Sequence, residues 1–268
     1  MTPGGIWLAV AAVVLLALVG VFLYWRLWYF LRDPKRVVPP GEHRIVAAAD
    51  GFITYVKRVE RGQVPVAIKG RRRVPLVDHA GVAGGRSGFL IGTYMTEFSV
   101  HRNRAPVGGE VVFRQHRPAA PVNRSMARLT ANLLFRRTPY DEECEFLLTN
   151  ERLTIGIRHA SGVTVLVTQI ADLWINRIVA RVAVGDRLHR GEQYGLIRFG
   201  SQCDVFLPDA LVARILVRPG QYVLAGETVL ALAKTDHGPG GWSETEGEVS
   251  DDAPDEERDR GDHRPTGD

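Results

Sequence analysis

Apolar residues follow two different patterns along this chain. Residues 6–24 form a run of nineteen residues without a charge, a length that suits a helix crossing a bilayer. Beyond this run, short stretches of alternating apolar and polar residues are separated by Gly and Pro, which is the pattern of β-strands joined by turns. The sequence therefore predicts a transmembrane anchor followed by a mainly β body with few helices.

The apolar run has two alternative interpretations. A secretory signal peptide has basic residues before its apolar core, but no Lys or Arg precedes residue 6, and the aromatic cluster at residues 25–30 suits a membrane interface. A hydrophobic hairpin that turns near Gly20 and returns through Phe30 is a second option. For a retained anchor, the positive-inside rule places the body in the cytoplasm, at the cell membrane, because the basic residues follow the run: Arg26, Arg32, Lys35 and Arg36.

Prolines and charge divide the chain into three parts. Pro34, Pro39 and Pro40 prevent the anchor helix from continuing. We therefore assign residues 1–36 to the anchor with a basic juxtamembrane linker, and residues 37–234 to the body. Residues 235–268 are rich in Gly, Pro and acidic groups, which predicts a disordered tail.

The charge of the chain is distributed unevenly between these parts. From residue 243 onward there are eleven acidic and three basic residues, a net charge of −8, so the remainder carries +12 of the total of +4. A basic body favours an anionic partner, a membrane surface or nucleic acid, and the anchor favours the membrane. Two cysteines make no disulfide framework, which fits a reducing compartment, and eight scattered histidines predict no metal site.

One short pattern occurs twice in the second half of the chain. Residues 181–192 and 216–227 each contain Val, then Gly, then an apolar residue, then Gly-Glu. Paired glycines of this kind make tight turns on either side of a short strand, and such repeats occur in biotinyl and lipoyl carrier domains. The repeats predict a β-sandwich or barrel-sandwich-like body. A membrane-anchored adaptor of that carrier type is a rival interpretation, but it needs a modifiable lysine, and residues 181–227 contain none.

The segment between the two repeats offers a chemical site at Gly200-Ser201. Residues 196–197 and 205–207 read as two short strands that meet at this pair, and Pro208 ends the second. A serine that directly follows a glycine can turn its hydroxyl onto the glycine carbonyl. Activation by a base would convert the peptide to an ester, and elimination would then leave Ser201 at a new N-terminus. A bare Gly-Ser pair is also common in ordinary turns.

Two other positions have an ordinary and a functional interpretation. Asp50-Gly51, between strand-like residues, is typical of a hairpin turn. His101 lies between a β-rich run and an Asn-Arg-Ala-Pro turn, where a lone histidine is usually structural.

Four segments of the sequence resemble the phosphatidylserine decarboxylase family, and most closely its shorter archaeal-type branch. They are Phe-Leu-Arg-Asp-Pro at residues 30–34, Ala-Asp-Gly at 49–51, Val-His-Arg-Asn-Arg-Ala-Pro-Val-Gly-Gly-Glu-Val at 100–111 and Gly-Leu-Ile-Arg-Phe-Gly-Ser-Gln-Cys-Asp-Val-Phe-Leu-Pro at 195–208. The chain departs from the family at Gln202-Cys203, where Arg-Val is usual, and at Asp172, where a glycine is usual. An inactive, uncleaved homologue is therefore a further alternative.

The resemblance implies a self-cleaving proenzyme. Asp50 would orient the imidazole of His101, and His101 would accept the proton of Ser201 as the hydroxyl attacks the Gly200 carbonyl. Cleavage between Gly200 and Ser201 would give chains 1–200 and 201–268 that stay together as partners, with Ser201 converted to a covalent pyruvoyl cofactor. The implied activity is the decarboxylation of phosphatidylserine, or of a related serine phospholipid such as archaetidylserine, to the ethanolamine phospholipid.

Overall fold

The structure is a computed structural model that describes residues 2–66, 72–76, 86–119, 121, 123–173, 178–197 and 200–235. The chain separates into two units, Met1–Lys234 and Thr235–Asp268. The predicted tail, apart from Thr235, lies outside the described residues. The division of the body from an anchor at residue 36 stays a prediction.

Few helices occur in the described residues, and the longest of them, at the N-terminus, lies outside the β body. Helix α1, Pro3–Tyr24, continues into a π-helical turn, Trp25–Tyr29. No residue of α1 is buried, and the whole segment is long and apolar enough to cross a membrane, with a mean hydropathy of 3.0. Two shorter helices, α2 (Ala127–Leu134) and α3 (Phe146–Thr149), pack against the body.

The body consists of sixteen short strands in the described residues, which confirms the predicted mainly β fold. The strands are β1 Arg44–Val46, β2 Gly51–Val59, β3 Gln63–Val66, β4 Arg72–Pro75, β5 Gly88–Met95, β6 Arg102–Arg104, β7 Gly109–Arg117, β8 Arg152–Arg158, β9 Thr164–Ala171, β10 Ile178–Ala180, β11 Arg187–Leu188, β12 Gln193–Ile197, β13 Ser201–Pro208, β14 Val212–Ile215, β15 Tyr222–Val223 and β16 Val229–Ala233. Eight of them form one large antiparallel sheet in the order β11-β7-β8-β9-β13-β5-β2-β15.

The remaining strands and the order of pairing reveal two similar halves. The first half gives β15-β2-β5-β13 to the large sheet and forms the small sheet β1-β16-β14. The second half gives β11-β7-β8-β9 and forms the small sheet β6-β12-β10. The halves meet in the middle of the large sheet, where β13 pairs with β9. The equivalent strands β1 and β6 begin at residues 44 and 102, and β2 and β7 at 51 and 109, so both pairs are 58 residues apart.

The two sequence repeats make the same contacts in each half. The Gly220 N–H donates to the Ile53 carbonyl (2.7 Å), and the Gly185 N–H donates to the Val111 carbonyl (2.8 Å). Both glycines have a positive φ, 86° and 98°, which side chains disfavour. Each repeat therefore fixes one edge of the large sheet, through β15 in the first half and β11 in the second.

The two halves differ in how two equivalent strand pairs are connected, β8 and β9 in the second half and β5 and β13 in the first. In the second half a tight hairpin joins β8 to β9, closed by the His159 N–H on the Val163 carbonyl (2.9 Å). In the first half the corresponding ends, Met95 of β5 and Ser201 of β13, pair in register, but no turn joins them. The chain instead leaves at Met95 and returns from β12 more than a hundred residues later. The Gly200–Ser201 bond is therefore where the chain passes from a small sheet into the large one.

Both faces of the large sheet are buried at its centre. Val205 and Leu207 of β13 join a core that also contains residues of the small sheets, whereas Phe206 joins a second core beneath α2 and α3. All eight residues of β13 are buried. Its second half, residues 205–207, is a continuous apolar run that ends at Pro208.

Two local expectations need correction. The strands on either side of Asp50-Gly51 do not form a hairpin, because β1 pairs with β16 and β2 pairs with β5. Gly51 is required by the close approach of β5, since a Cβ there would lie 1.9 Å from the Tyr94 carbonyl oxygen. Residues 122–135 read in the sequence as a possible amphipathic helix, but in the structure the helix there spans only α2.

Candidate active site

Ser201 is the first residue of β13 and is fully buried. Its main chain is fixed on both sides, opposite Met95 on β5 and Ala171 on β9. Its hydroxyl donates to the Met95 sulfur at 3.3 Å. The Asn103 side-chain amide also donates to this sulfur (3.8 Å) and in turn accepts from the Gln169 amide (2.8 Å). The candidate nucleophile is thus held by the strand ladder, with a weak acceptor on its hydroxyl.

The carbonyl preceding Ser201 already has one hydrogen-bond donor. The Asp172 main-chain N–H donates to the Gly200 carbonyl at 3.2 Å. The Asp172 carboxylate accepts from the N–H groups of Met126 (2.8 Å) and Leu173 (2.7 Å), so it ties the segment before α2 to this loop. Burial raises the pKa of the Asp172 carboxyl. A donor on the Gly200 oxygen would stabilise negative charge that develops there during attack on the carbonyl.

His101 is buried and is fixed by the loop that follows β5. Its Nδ1 lies 2.9 Å from the Ser99 carbonyl, and because a carbonyl only accepts, Nδ1 carries the proton and Nε2 carries the lone pair. Nε2 is buried without a hydrogen-bond partner among the described residues. Burial, and secondarily the charge of Arg32, lowers the pKa of His101 to about 3. The imidazole is therefore neutral near pH 7, in the form that a general base requires.

The His101 segment meets the strand that leads to the cleavage point. The His101 carbonyl accepts from the Ile197 N–H at 3.2 Å, and β6, directly after His101, pairs with β12. Because Asn103 of β6 and Ser201 both donate to the sulfur of Met95, β6 and β13 converge on that residue.

Asp50 lies directly before β2 and is also buried. Its carboxylate accepts from the Ala225 N–H (2.8 Å) and from the Arg36 guanidinium (2.6 Å). Desolvation raises the pKa of Asp50, while the Ala225 hydrogen bond and Arg36 act in the opposite direction. The positive charge of Arg32 also lowers the pKa of both Asp50 and His101, as the smallest of the causes for each group.

The structure does not connect the three predicted residues by hydrogen bonds. The Ser99 carbonyl orients His101, Arg36 and Ala225 hold Asp50, and Met95 accepts from Ser201. Their roles as a relay stay a prediction.

Several residues that surround the site were not identified as site residues from the sequence. They are Phe30, Arg36, Met95, Ser99 and the main-chain amide of Asp172. A local signal existed for Phe30, which opens the Phe-Leu-Arg-Asp-Pro segment, and for Asp172, which departs from the glycine of the family. The others depend on strand pairings between distant parts of the chain.

The two residues next to Ser201 that differ from the family, Gln202 and Cys203, are both buried in the body. The Gln202 amide donates to the Tyr55 hydroxyl (2.9 Å) and to the Asp204 carboxylate (2.8 Å), all buried. Cys203 packs in the core on the other face, and burial raises the pKa of its thiol far above the ordinary range. Cys203 is thus a small buried side chain of the core.

Comparisons with known proteins agree with the resemblance found in the sequence. The model of the phosphatidylserine decarboxylase family matches residues 23–231. A phosphatidylserine decarboxylase proenzyme from Symbiobacterium thermophilum is 36% identical over 84% of this chain and 92% of its own length. Similar proenzymes are 36% identical in Ruegeria pomeroyi, over 80% and 81%, and 34% identical in Ralstonia nicotianae, over 85% and 90%. The chain belongs to the phosphatidylserine decarboxylase family, which is a family of carboxy-lyases.

Proposed function

We propose that this chain is a proenzyme that cleaves itself between Gly200 and Ser201 and then decarboxylates a serine phospholipid, either phosphatidylserine or archaetidylserine. The observation that carries the proposal is the buried Nε2 of a neutral His101, which has no hydrogen-bond partner among the described residues. His101 directly precedes β6, the strand that pairs with β12, and β12 leads toward Gly200-Ser201. Membership of the decarboxylase family supports the same chemistry.

Self-cleavage would begin with attack by Ser201 on the carbonyl before it. His101 Nε2 takes the hydroxyl proton while Oγ forms a bond to the Gly200 carbon, and the Asp172 N–H stabilises the oxyanion. The C–N bond then breaks, the proton passes to the Ser201 nitrogen, and an ester remains. Removal of the Ser201 α-proton breaks the Cβ–Oγ bond and releases Gly200 as a carboxylate. Hydrolysis with loss of ammonia leaves the new N-terminus as a pyruvoyl group.

The residues present fit such a group at position 201. When formed, the pyruvoyl group would supply the electron sink that decarboxylation requires. Ser201 starts a strand that is hydrogen bonded on both sides, so the position stays fixed after cleavage. His101, whose Nε2 has no hydrogen-bond partner among the described residues, would return a proton to the substrate carbon after carbon dioxide departs.

Membrane attachment would bring this site to its substrate. The apolar segment Pro3–Tyr29 could be the anchor, and the basic residues that follow it favour the cytoplasmic side. Phe30, the first residue after the segment, contacts the ring of His101, which would hold the site close to the level of the lipid head groups.

The experiment uses vesicles that contain phosphatidylserine labelled at the serine carboxyl. Wild-type protein should release labelled carbon dioxide and form phosphatidylethanolamine, and the Ser201→Ala variant should do neither. Wild-type protein that releases no carbon dioxide from any serine phospholipid would contradict the proposal and favour an inactive homologue or an adaptor.

A further inference from the structure

The segment between the membrane helix and the body lies over the candidate site. We call residues 30–39 the strap. Its main chain is held by side chains of the body: the Leu31 carbonyl accepts from Arg102 (3.0 Å) and the Pro39 carbonyl from Arg190 (2.7 Å). The Val37 N–H donates to the Glu227 carboxylate at 3.0 Å. Contacts at the beginning, middle and end show that the strap is an ordered part of the body and not a loose linker.

The strap also joins the two halves of the body. Its Asp33 carboxylate accepts from Arg104 in β6 of the second half at 2.6 Å, whereas Glu227 belongs to the repeat of the first half. Val38 lies against Gly191 of the other repeat, where a Cβ would come within 2.5 Å of the valine. The strap therefore lies along the seam at which the two repeats meet.

The first residue of the strap covers the candidate base. The rings of Phe30 and His101 stack with their centroids 4.0 Å apart and an interplanar angle of 27°. Phe30 is only 1% exposed although it directly follows an exposed helix. Trp25 packs on Phe30 edge-on at 5.8 Å. Because burial is the main cause of the low pKa of His101, this cover keeps the imidazole neutral.

A second strap residue holds the candidate carboxylate. The side chains of Arg36 and Asp50 are 7% and 3% exposed, and their ion pair measures 2.6 Å. Arg36 also approaches Glu227 at 3.4 Å. Without a cation, burial would shift Asp50 further toward its neutral form.

We propose that Phe30 and Arg36 are positioning residues of the reaction, so that the segment leaving the membrane helix completes the active site. Phe30 fixes the plane of the His101 ring and excludes water from it, and Arg36 keeps Asp50 ionised and in place. This inference rests on the proposed self-cleavage, because the cleavage rate is the quantity that it changes.

The test of Phe30 compares cleavage at different pH values. Newly synthesised full-length chain in phosphatidylcholine vesicles is moved to buffers from about pH 5 to about pH 8, and the uncleaved fraction is followed on gels. The imidazole faces the Arg32 charge and the Phe30 ring from the strap, and the Ser99 carbonyl from its own loop. In Phe30→Ala water reaches the ring, its pKa rises toward the ordinary value, and cleavage at the acidic end should fall about tenfold relative to neutral pH. Wild type should show no such loss.

Controls separate this effect from a general loss of structure. Phe30→Leu keeps an apolar cover and should keep a flat profile, and Phe135→Ala, which removes an exposed aromatic ring, should behave as wild type. A Phe30→Ala chain with the wild-type rate and a flat profile would overturn the role of Phe30. Wild-type chain that stays whole at every pH would instead contradict the proposed self-cleavage itself.

Arg36 is tested by keeping or removing its charge. Arg36→Gln should slow cleavage about tenfold, and Arg36→Lys should recover most of that loss. Arg58→Gln, which breaks an exposed ion pair with Asp209, is the matched control and should leave the rate unchanged. Equal rates for Arg36→Gln and wild type would overturn the role of Arg36.

Discussion

The two halves of the body have the same arrangement of strands but carry different side chains at equivalent positions. Position 50 in the first half corresponds to position 108 in the second, because each directly precedes a glycine that starts β2 or β7. The first position is a buried aspartate that pairs with Arg36, and the second is Gly108. Since the second half folds in the same way without a carboxylate, the fold does not need Asp50.

The histidines show the same contrast. His43 precedes β1 as His101 precedes β6, and their carbonyls accept equivalent hydrogen bonds, from Ala233 (2.7 Å) and Ile197 (3.2 Å). His43 is half-buried, whereas His101 is 1% exposed beneath Phe30. Burying an imidazole and a carboxylate costs stability, so the comparison indicates that the first half carries them for function.

The connection at the paired ends of β5 and β13 is the third difference. A hairpin closes the second half at residues 159–163, but in the first half the equivalent ends separate into the loop that carries His101 and the loop that carries Gly200. In place of a hairpin, this end of the sheet therefore carries two separate loops, each with one of the candidate groups.

Substitutions at the equivalent positions 50 and 108 should show the largest difference in the rate of self-cleavage. Asp50→Asn removes the charge but keeps hydrogen-bonding capacity, and we expect self-cleavage to slow by about a hundredfold or more. Gly108→Asp should leave cleavage unchanged, because its Cβ would meet its nearest neighbours at 3.6 Å, an ordinary contact. Intact-mass time courses measure both rates, and thermal unfolding checks that both variants fold. Equal rates for Asp50→Asn and wild type would show that the carboxylate is not part of the reaction.

Acid should destabilise the protein through His101. The unfolded chain binds a proton on this imidazole below its ordinary pKa of 6.5, whereas the folded chain resists protonation down to about 3. Stability is therefore full above pH 6.5 and falls with acidification, by about 2 kcal/mol at about pH 5. Asp50 and Asp172, whose pKa values are raised from 3.8, act in the opposite direction as the pH approaches that value.

Urea unfolding of the uncleaved Ser201→Ala chain at several pH values measures this dependence. Adding His101→Gln to this chain should remove most of the dependence of the unfolding free energy on pH. Adding His43→Gln should leave that dependence in place. A slope that His101→Gln leaves unchanged would assign the acid sensitivity to other groups.

Replacing the sulfur that accepts from Ser201 should give the smallest effect. Met95→Leu conserves volume in a buried site and should lower the free energy of unfolding by less than about 1.5 kcal/mol. The substitution removes the sulfur that accepts from the Ser201 hydroxyl at 3.3 Å. Because the hydroxyl is then free to attack, self-cleavage should be as fast as in wild type or faster. A block of cleavage in this folded variant would show that the sulfur holds Ser201 in its reactive orientation.

Local patterns in the sequence identified the apolar N-terminal helix, the ends of β12 and β13, and the paired glycines of the repeats. These features depend on neighbours in the chain: apolar length, strand alternation and the backbone freedom of glycine. The resemblance drew attention to Asp50, His101 and Ser201 by motif. The sequence alone could not place Ser201 against Met95, 106 residues away, because this contact depends on long-range strand pairing. It also could not show that His101 bonds to the Ser99 carbonyl and not to Asp50, because the position of Asp50 depends on the same long-range pairing.

The intact mass of the purified wild-type protein tests the central claim most directly. Self-cleavage predicts two chains, residues 1–200 and residues 201–268, the smaller lighter by one ammonia than a chain that begins with serine. The Ser201→Ala control should give one chain of 268 residues. A single whole chain from folded wild-type protein, unchanged after long incubation, would contradict the account.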